Sequence, residues 1–386
     1  MDPSLSPDIE AIRDMVNRFM QTEVAPVMDD FERRGVFPRD LVRKAGEAGL
    51  YGAVFPESVG GTDMGYLAAT VIQEEMVRND VRFASCNNQQ GSTCPSCIYF
   101  GGSAEQIKKY VPNLLAGKTI GMMSLTESGG GSDAEGNMKT FARRDGDVYR
   151  ISGQKMWASM ANECDVGVLF AKTDRNAGAK GVTGFIVQPK KYPGWKATPI
   201  DTMGLSKSFR TNVVYLDDFV VPVEDRLGEE GDGFKIAMKG LDGGRINIAA
   251  CSLGAARACL EAARAHLGVR TAFGKKLAEF QALQFKLADM ATELEAARLM
   301  IRHAASMLDA RHPKATMYCA MAKRYATDAG FAIANDALQI HGGYGYLKDY
   351  GLEKLVRDLR VHQILEGTNE IMRVVISRKV LGGNRG

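Results

Sequence analysis

Glu366 sits in Gln363-Ile364-Leu365-Glu366-Gly367-Thr368-Asn369-Glu370. A carboxylate between Leu365 and Gly367 can be partly stripped of water, which raises its pKa and makes it a stronger base near neutral pH. Gly367 lets the backbone approach a ligand closely, and Thr368 and Asn369 bring hydrogen-bonding groups. Alone, the segment also reads as a turn between helices, so the rest of the chain decides. Met123-Ser124-Leu125-Thr126-Glu127-Ser128-Gly129-Gly130-Gly131-Ser132-Asp133 is a Gly-rich loop flanked by hydroxyls. Its backbone N–H groups can bind a phosphate or the polar edge of an aromatic heterocycle, although a surface turn explains the loop equally simply. Arg270, Gln339 and Gly342-Gly343, each taken singly, read as structural. Asp242-Gly243-Gly244-Arg245 reads as a helix start with a carboxylate near the positive end of the dipole.

The Cys94-Pro95-Ser96-Cys97 pair has the spacing of a redox or metal motif. It lies in a helical zone with no βαβ setting and no second pair, which favours a structural role and no metal site. The seven cysteines are an odd number and scattered, the usage of a reducing compartment. A net charge of +3 is too small to argue for nucleic acid. No apolar run reaches eighteen residues, so no membrane insertion is expected. The acidic opening, Met1 to Glu10, reads as neither a secretory nor a transit signal, and the bacterial cytoplasm is the expected location.

These residues must be held by three compositional zones, predicted as 1–120, 121–228 and 229–386. In the first, Ile9, Ile12, Val16 and Phe19 recur at helical steps, Leu41, Val42 and Ala45 follow Pro38, and 66–79 reads as another helix. The second alternates short β-rich runs (148–151, 166–171, 185–187, 213–216) with turns at Asp145-Gly146, Pro193-Gly194 and Asp217-Asp218. The third returns to helix, with one seam on Leu283, Leu287, Met290, Leu294, Ala297, Ile301, Ala304 and Leu308 and another on Leu253, Ala256, Leu260, Ala263 and Leu267. The expected fold class is α+β: an N-terminal helical domain, a middle antiparallel β domain and a C-terminal four-helix bundle.

Taken in order, the Thr126–Asp133 loop, Trp157-Ala158-Ser159, Arg270-Thr271-Ala272-Phe273-Gly274, the 339–345 segment and Glu366-Gly367-Thr368 resemble the acyl-CoA dehydrogenase family over essentially the whole chain. The motifs after residue 227 are most similar to its isobutyryl-CoA-specific branch. The resemblance implies FAD as cofactor and an acyl-CoA substrate dehydrogenated to a 2-enoyl-CoA. It implies Glu366 as catalytic base. It places Met123, Leu125, Thr126, Ser132, Trp157 and Ser159 around the flavin. It places Arg270, Phe273, Gln281, Gln339, Gly342, Gly343, Thr368 and Glu370 on the rest of FAD, some of them serving a neighbouring subunit. Ser132, Asp242, Gly243, Arg245 and Arg378 would meet the CoA ester.

Electrons would pass to an electron-transfer flavoprotein from a dimer of dimers, in branched-chain amino acid or fatty acid catabolism. Some family members carry the base immediately before the arginine of the third motif; here that position is Gly244. The chain departs from the family pattern at Ser128, where proline is usual, at Asp242, where the isobutyryl branch has asparagine, and at Asn87-Asn88-Gln89-Gln90, where the stretch flooring the acyl pocket is more apolar. Those amides either face solvent or recognise a polar acyl end. A flavin oxidase or monooxygenase on the same fold, and a non-catalytic helical scaffold, are the rival readings.

Overall fold

A computed structural model describes residues 5–382, so the first four residues of the acidic opening and the last four of the chain lie outside it. Three of the N-terminal helices begin at side-chain caps. Ser6 accepts from the Ile9 N–H and Pro7 takes a position where no N–H is needed, opening α1 (Pro7–Phe19). A π-turn leads into α2 (Ala25–Arg34), which stops on left-handed Gly35. Helix α3 (Arg39–Glu47) buries Leu41, Val42 and Ala45 as the spacing predicts, and α4 (Gly65–Asn79) is the third expected helix. Asp80 caps the short α5 (Val81–Ala84); a π-helical turn over Asn88–Thr93 then leads into α6 (Cys94–Gly101). A capping box between Ser103 and Gln106 starts α7 (Ala104–Leu115).

The middle region is one eight-stranded sheet: β1 (Gly121–Ser124), β2 (Phe141–Asp145), β3 (Val148–Ser159), β4 (Val166–Lys172), β5 (Val182–Val187), β6 (Trp195–Pro199), β7 (Thr211–Pro222) and β8 (Arg226–Leu227). Its order is β6-β7-β3-β2-β4-β5-β8, with β1 added on β4. The long ladders are antiparallel, while β1 and the end of β2 lie parallel to β4. The Asp217-Asp218 turn expected from sequence is instead inside β7. Asp218 takes φ +47 and bonds to the Ser152 hydroxyl at 2.8 Å, so the pair marks a bulge in a continuing strand.

Helix α8 (Gly233–Val269) is followed by a small hairpin, β9 (Thr271–Ala272) and β10 (Lys275–Lys276), then α9 (Gln281–Asp309), α10 (Ala315–His341), α11 (Leu352–His362) and α12 (Asn369–Val380). Both predicted seams point into the bundle. Met290, Leu294, Ala297, Ile301 and Ala304 are buried, with Leu283, Leu287 and Leu308 packed at the margins. One expectation fails: Asp242 does not open a helix but lies in the middle of α8. Three glycines there imitate a break, yet each gives room to a neighbour. A Cβ on Gly240 would reach the Cys97 sulfur at 3.0 Å, and one on Gly243 would reach Tyr66 at 3.1 Å.

Candidate active site

Glu366 occupies the turn between α11 and α12, with φ +56, a left-handed backbone that costs a non-glycine residue energy and is retained only where surroundings enforce it. The enforcement is visible. Gly367 follows at φ +88, and Thr368 caps α12 by accepting from the Ile371 N–H. Beneath the turn, Lys323 of α10 donates to the Gly367 carbonyl at 2.8 Å and to Asn369 Oδ1 at 2.9 Å. Asn369 itself is buried and tied to Thr327 and Asp328.

The carboxylate points inward from a half-buried residue. Asn88 Nδ2 donates to Glu366 Oε1 at 2.8 Å, whereas Oε2 is buried with no hydrogen-bond partner. Burial pushes the Glu366 pKa up, while the Asn88 hydrogen bond and the charges of Arg245 and Lys323 moderate the rise. A Cβ on Gly244 would lie 2.3 Å from Oε2, so any side chain there would make the Glu366 carboxylate swing aside. The neighbour of Gly244, buried Arg245, pairs with Asp242 at 2.7 Å, and Asp242 accepts from Thr316 at 2.6 Å. A cavity of about 30 Å³ adjoins these residues; Leu50, Val54, Tyr66, Ser92, Gly243 and Asn247 are among its walls.

The Asn87–Gln90 amides neither float in solvent nor offer themselves as a group to an acyl tail. Asn87 donates to Gln73 at 2.5 Å, and Gln90 bridges the Leu114 and Thr119 carbonyls to the Gly121 N–H. Gln89 accepts from the Met123 N–H at 2.8 Å. Of the four, Asn88 reaches the Glu366 carboxylate, while Asn87 also lines the small cavity. Sequence reading flagged the stretch as unusual but could not see this use, because the partners are as far as 278 residues away in the chain.

The Gly-rich loop is anchored by a pair that sequence reading missed. Lys155, fully buried, bonds to the Leu125 carbonyl at 3.0 Å and to Glu127 at 2.8 Å, and Glu127 accepts the N–H groups of Lys139 and Thr140. Leu125 and Thr126 are thereby held at the surface of β3, with the Thr126 carbonyl accepting from the Met156 N–H, while Ser128 and Ser132 are exposed. Trp157 is not core, contrary to the usual fate of a strand tryptophan. A break in the β3–β7 register and φ +62 turn it outward, leaving it 56% exposed, with Ser159 two residues on.

A second cavity, of about 380 Å³, is lined by His266, Arg270, His341, Gly342, Gly343 and Tyr344, with Arg270 lying 5.6 Å from the Tyr344 ring centre. Gly342 and Gly343 face open space where a Cβ would stand. Phe273, 96% exposed, and exposed Gln281, Gln339 and Glu370 do not line it, and Arg378 is exposed in the last turn of α12. The cysteine pair is inert: all seven cysteines are free and buried, and burial pushes the Cys94 thiol up to about 12. No cluster of metal-ligating side chains occurs among the described residues, nor any helix long and apolar enough to cross a membrane.

These features belong to one class of protein. The acyl-CoA dehydrogenase N-terminal domain matches residues 6–118, the middle domain 122–219 and the C-terminal domain 231–381. The chain belongs to the acyl-CoA dehydrogenase family of FAD-dependent enzymes. It is 43% identical to the mitochondrial isobutyryl-CoA dehydrogenase of Dictyostelium discoideum, across 97% of this chain and 90% of that protein. It is 41% identical to that of Bos taurus, across 99% and 91%. A chain of the structure described as the electron transferring flavoprotein of Acidaminococcus fermentans superposes with a TM-score of 0.94 at 39% identity, covering 99% of this chain and all of its own.

The residues present fit FAD. An outward tryptophan beside an anchored Gly-rich loop suits a flat ring, and an arginine with two unobstructed glycines around a large cavity suits a pyrophosphate.

Proposed function

We propose that the chain dehydrogenates a short, methyl-branched acyl-CoA to the 2-enoyl-CoA, with Glu366 as the base that removes the α-proton. The observation that carries this reading is the unpartnered, buried Glu366 Oε2 against Gly244. A desolvated carboxylate with a raised pKa is a stronger base than one in water. An α-proton is poorly acidic, so the thioester carbonyl must be polarised as charge develops on it. The Glu366 backbone N–H has no hydrogen-bond acceptor among the described residues and is a ready donor for that oxygen.

Met123, Leu125, Thr126, Ser132, Trp157 and Ser159 would hold the flavin ring. Arg270, Gly342, Gly343 and Thr368 would hold the rest of FAD, and the outlying Phe273, Gln281, Gln339 and Glu370 would complete the site of a second copy in a dimer of dimers. Bound FAD supplies the acceptor for the β-hydride. Ser132, Asp242, Gly243, Arg245 and Arg378 would contact the CoA ester, and Trp157 would exclude water from one ring face.

The branched short chain is favoured by the two isobutyryl-CoA relatives. The internal pairing of Asn87, Gln89 and Gln90 leaves few amides to recognise a polar acyl end. An electron-transfer flavoprotein as acceptor is supported by the Acidaminococcus likeness. The base also argues against an oxidase or monooxygenase.

The test is kcat/KM for isobutyryl-, butyryl-, octanoyl- and succinyl-CoA with an artificial acceptor. Isobutyryl-CoA is expected first, and a preference for octanoyl-CoA or for a polar acyl group would overturn the substrate assignment. Glu366→Gln is expected to keep FAD and lose about 10²–10⁴-fold in turnover. Retention of more than about half the rate would remove Glu366 from the reaction.

A further inference from the structure

Asn88 is the first residue of the π-helical turn Asn88–Thr93, a backbone irregularity frequent at functional sites. Its amide is used at both ends. Nδ2 donates to Glu366 Oε1 at 2.8 Å, and Oδ1 accepts from Asn247 Nδ2 of α8 at 3.0 Å. The orientation follows from charge. An ionised carboxylate can only accept, so Asn88 must present its NH₂ to Glu366, its oxygen must then face Asn247, and Asn247 must present an NH₂ in turn. Asn88 is the one direct hydrogen-bond donor to this carboxylate among the described residues. The other groups facing Glu366 act through space: Arg245 and Cys251 from α8, Lys323 from α10 and Cys97 from α6.

We propose that Asn88 is the positioning residue of the base: it pins Oε1, leaves Oε2 as the oxygen that takes the α-proton, and is itself oriented by Asn247. The inference rests on Glu366 being that base. In the step, the α-C–H bond breaks, an O–H bond forms at Oε2, and the C–H electron pair stays with the substrate to become the new double bond as the β-hydride leaves for bound FAD. A carboxylate held by one oxygen cannot rotate away from the α-carbon, and its bond to Asn88 strengthens the ionised form that accepts the proton. This use explains why a polar stretch stands where the pocket floor would otherwise be apolar. Gln89 and Gln90 hold the backbone around it, Asn87 bonds to the Gln73 side chain, and Asn88 holds the base.

The test uses the FAD-loaded protein with Asn88→Leu, Asn247→Leu, their double variant and Glu366→Gln. Asn88→Leu should lower kcat/KM about 10–100-fold, the size expected for loss of a hydrogen bond to a charged group. The acid limb of its pH profile should move up by roughly one unit, since the lost bond favoured the ionised form. Flavin content and thermal midpoint should stay unchanged. Asn247→Leu should move the limb the same way by less, and the double variant should add nothing beyond Asn88→Leu.

An infrared titration of the Glu366 carboxyl, taken as the difference from Glu366→Gln, should show the same upward shift without turnover. An unmoved acid limb and carboxyl band in Asn88→Leu would overturn the proposal. Where that variant fails to fold, an unmoved limb in Asn247→Leu overturns it instead. Full activity in Glu366→Gln would sink the base assignment itself, whereas a dead Glu366→Gln beside an unaffected Asn88→Leu sinks only the positioning role.

Discussion

Two loops hold the residues proposed for the chemistry, the Gly-rich loop after β1 and the Glu366 turn between α11 and α12, and a fully buried lysine supports each. Lys155 meets a carboxylate directly, in a 2.8 Å pair with Glu127 that also binds two backbone N–H groups. Lys323 meets only a carbonyl and an amide oxygen. Burial lowers both lysines to about 8, and in each case acidic neighbours oppose the fall. The difference separates two tasks. Around Lys155 the charge is neutralised on the spot, which suits a fixed platform. Around Lys323 the positive charge remains available to the nearby Glu366, so the second anchor also tunes a titration.

The largest expected effect of breaking this contrast is at the platform. Lys155→Met leaves Glu127 buried without its cation, which should cost about 3–5 kcal/mol in urea unfolding and release FAD. A loss below about 1 kcal/mol would mean that the backbone donors alone hold Glu127. Next comes Arg270→Ala, which should weaken FAD retention by about 1.5–3 kcal/mol and loosen the oligomer in parallel. A flavin-free protein with unchanged sedimentation would show that Arg270 serves its own subunit only.

Lys323→Met should act on the titration more than on the fold. Loss of its charge should raise the Glu366 pKa further and move the acid limb of kcat/KM upward by up to about one unit. Its stability signature has a definite sign. Both lysines hold their protons less tightly folded than unfolded, so the unfolded chain binds more protons between about 8 and 10.5 and stability rises with pH across that window. Unfolding measured on either side of pH 8 should show a smaller rise in Lys323→Met than in the parent chain. An unchanged rise would assign the effect to Lys155. The smallest effect is Thr368→Ala, about 1 kcal/mol from the lost cap of α12. Urea unfolding reads the cap, and FAD content measured alongside reads the separate contact proposed for Thr368.

What the sequence made legible was local. The seams of α8 and α9 could be read because helical period and burial coincide along one segment, and the Glu366 turn because its glycine and cap lie beside it. What it hid was pairing across distance. Nothing near Asn88 announces a carboxylate on another domain, and nothing near Lys155 announces Glu127 beneath a loop. The glycines of α8 misled for the same reason. In the chain they look like a stop, whereas in the fold they are clearances cut for Cys97, Tyr66 and Glu366. Asp217-Asp218 looked like a turn because strand bulges and turns draw on the same residues.

The clearance at Gly244 also bears on the place of the base. The resemblance above includes enzymes whose base stands at that very place on α8, yet here a side chain on Gly244 would run into the carboxylate of Glu366. A second base there would have to push the Glu366 carboxylate aside, so adding one at position 244 would displace the first rather than duplicate it. A glycine with no chemistry of its own thus leaves Glu366 where it stands.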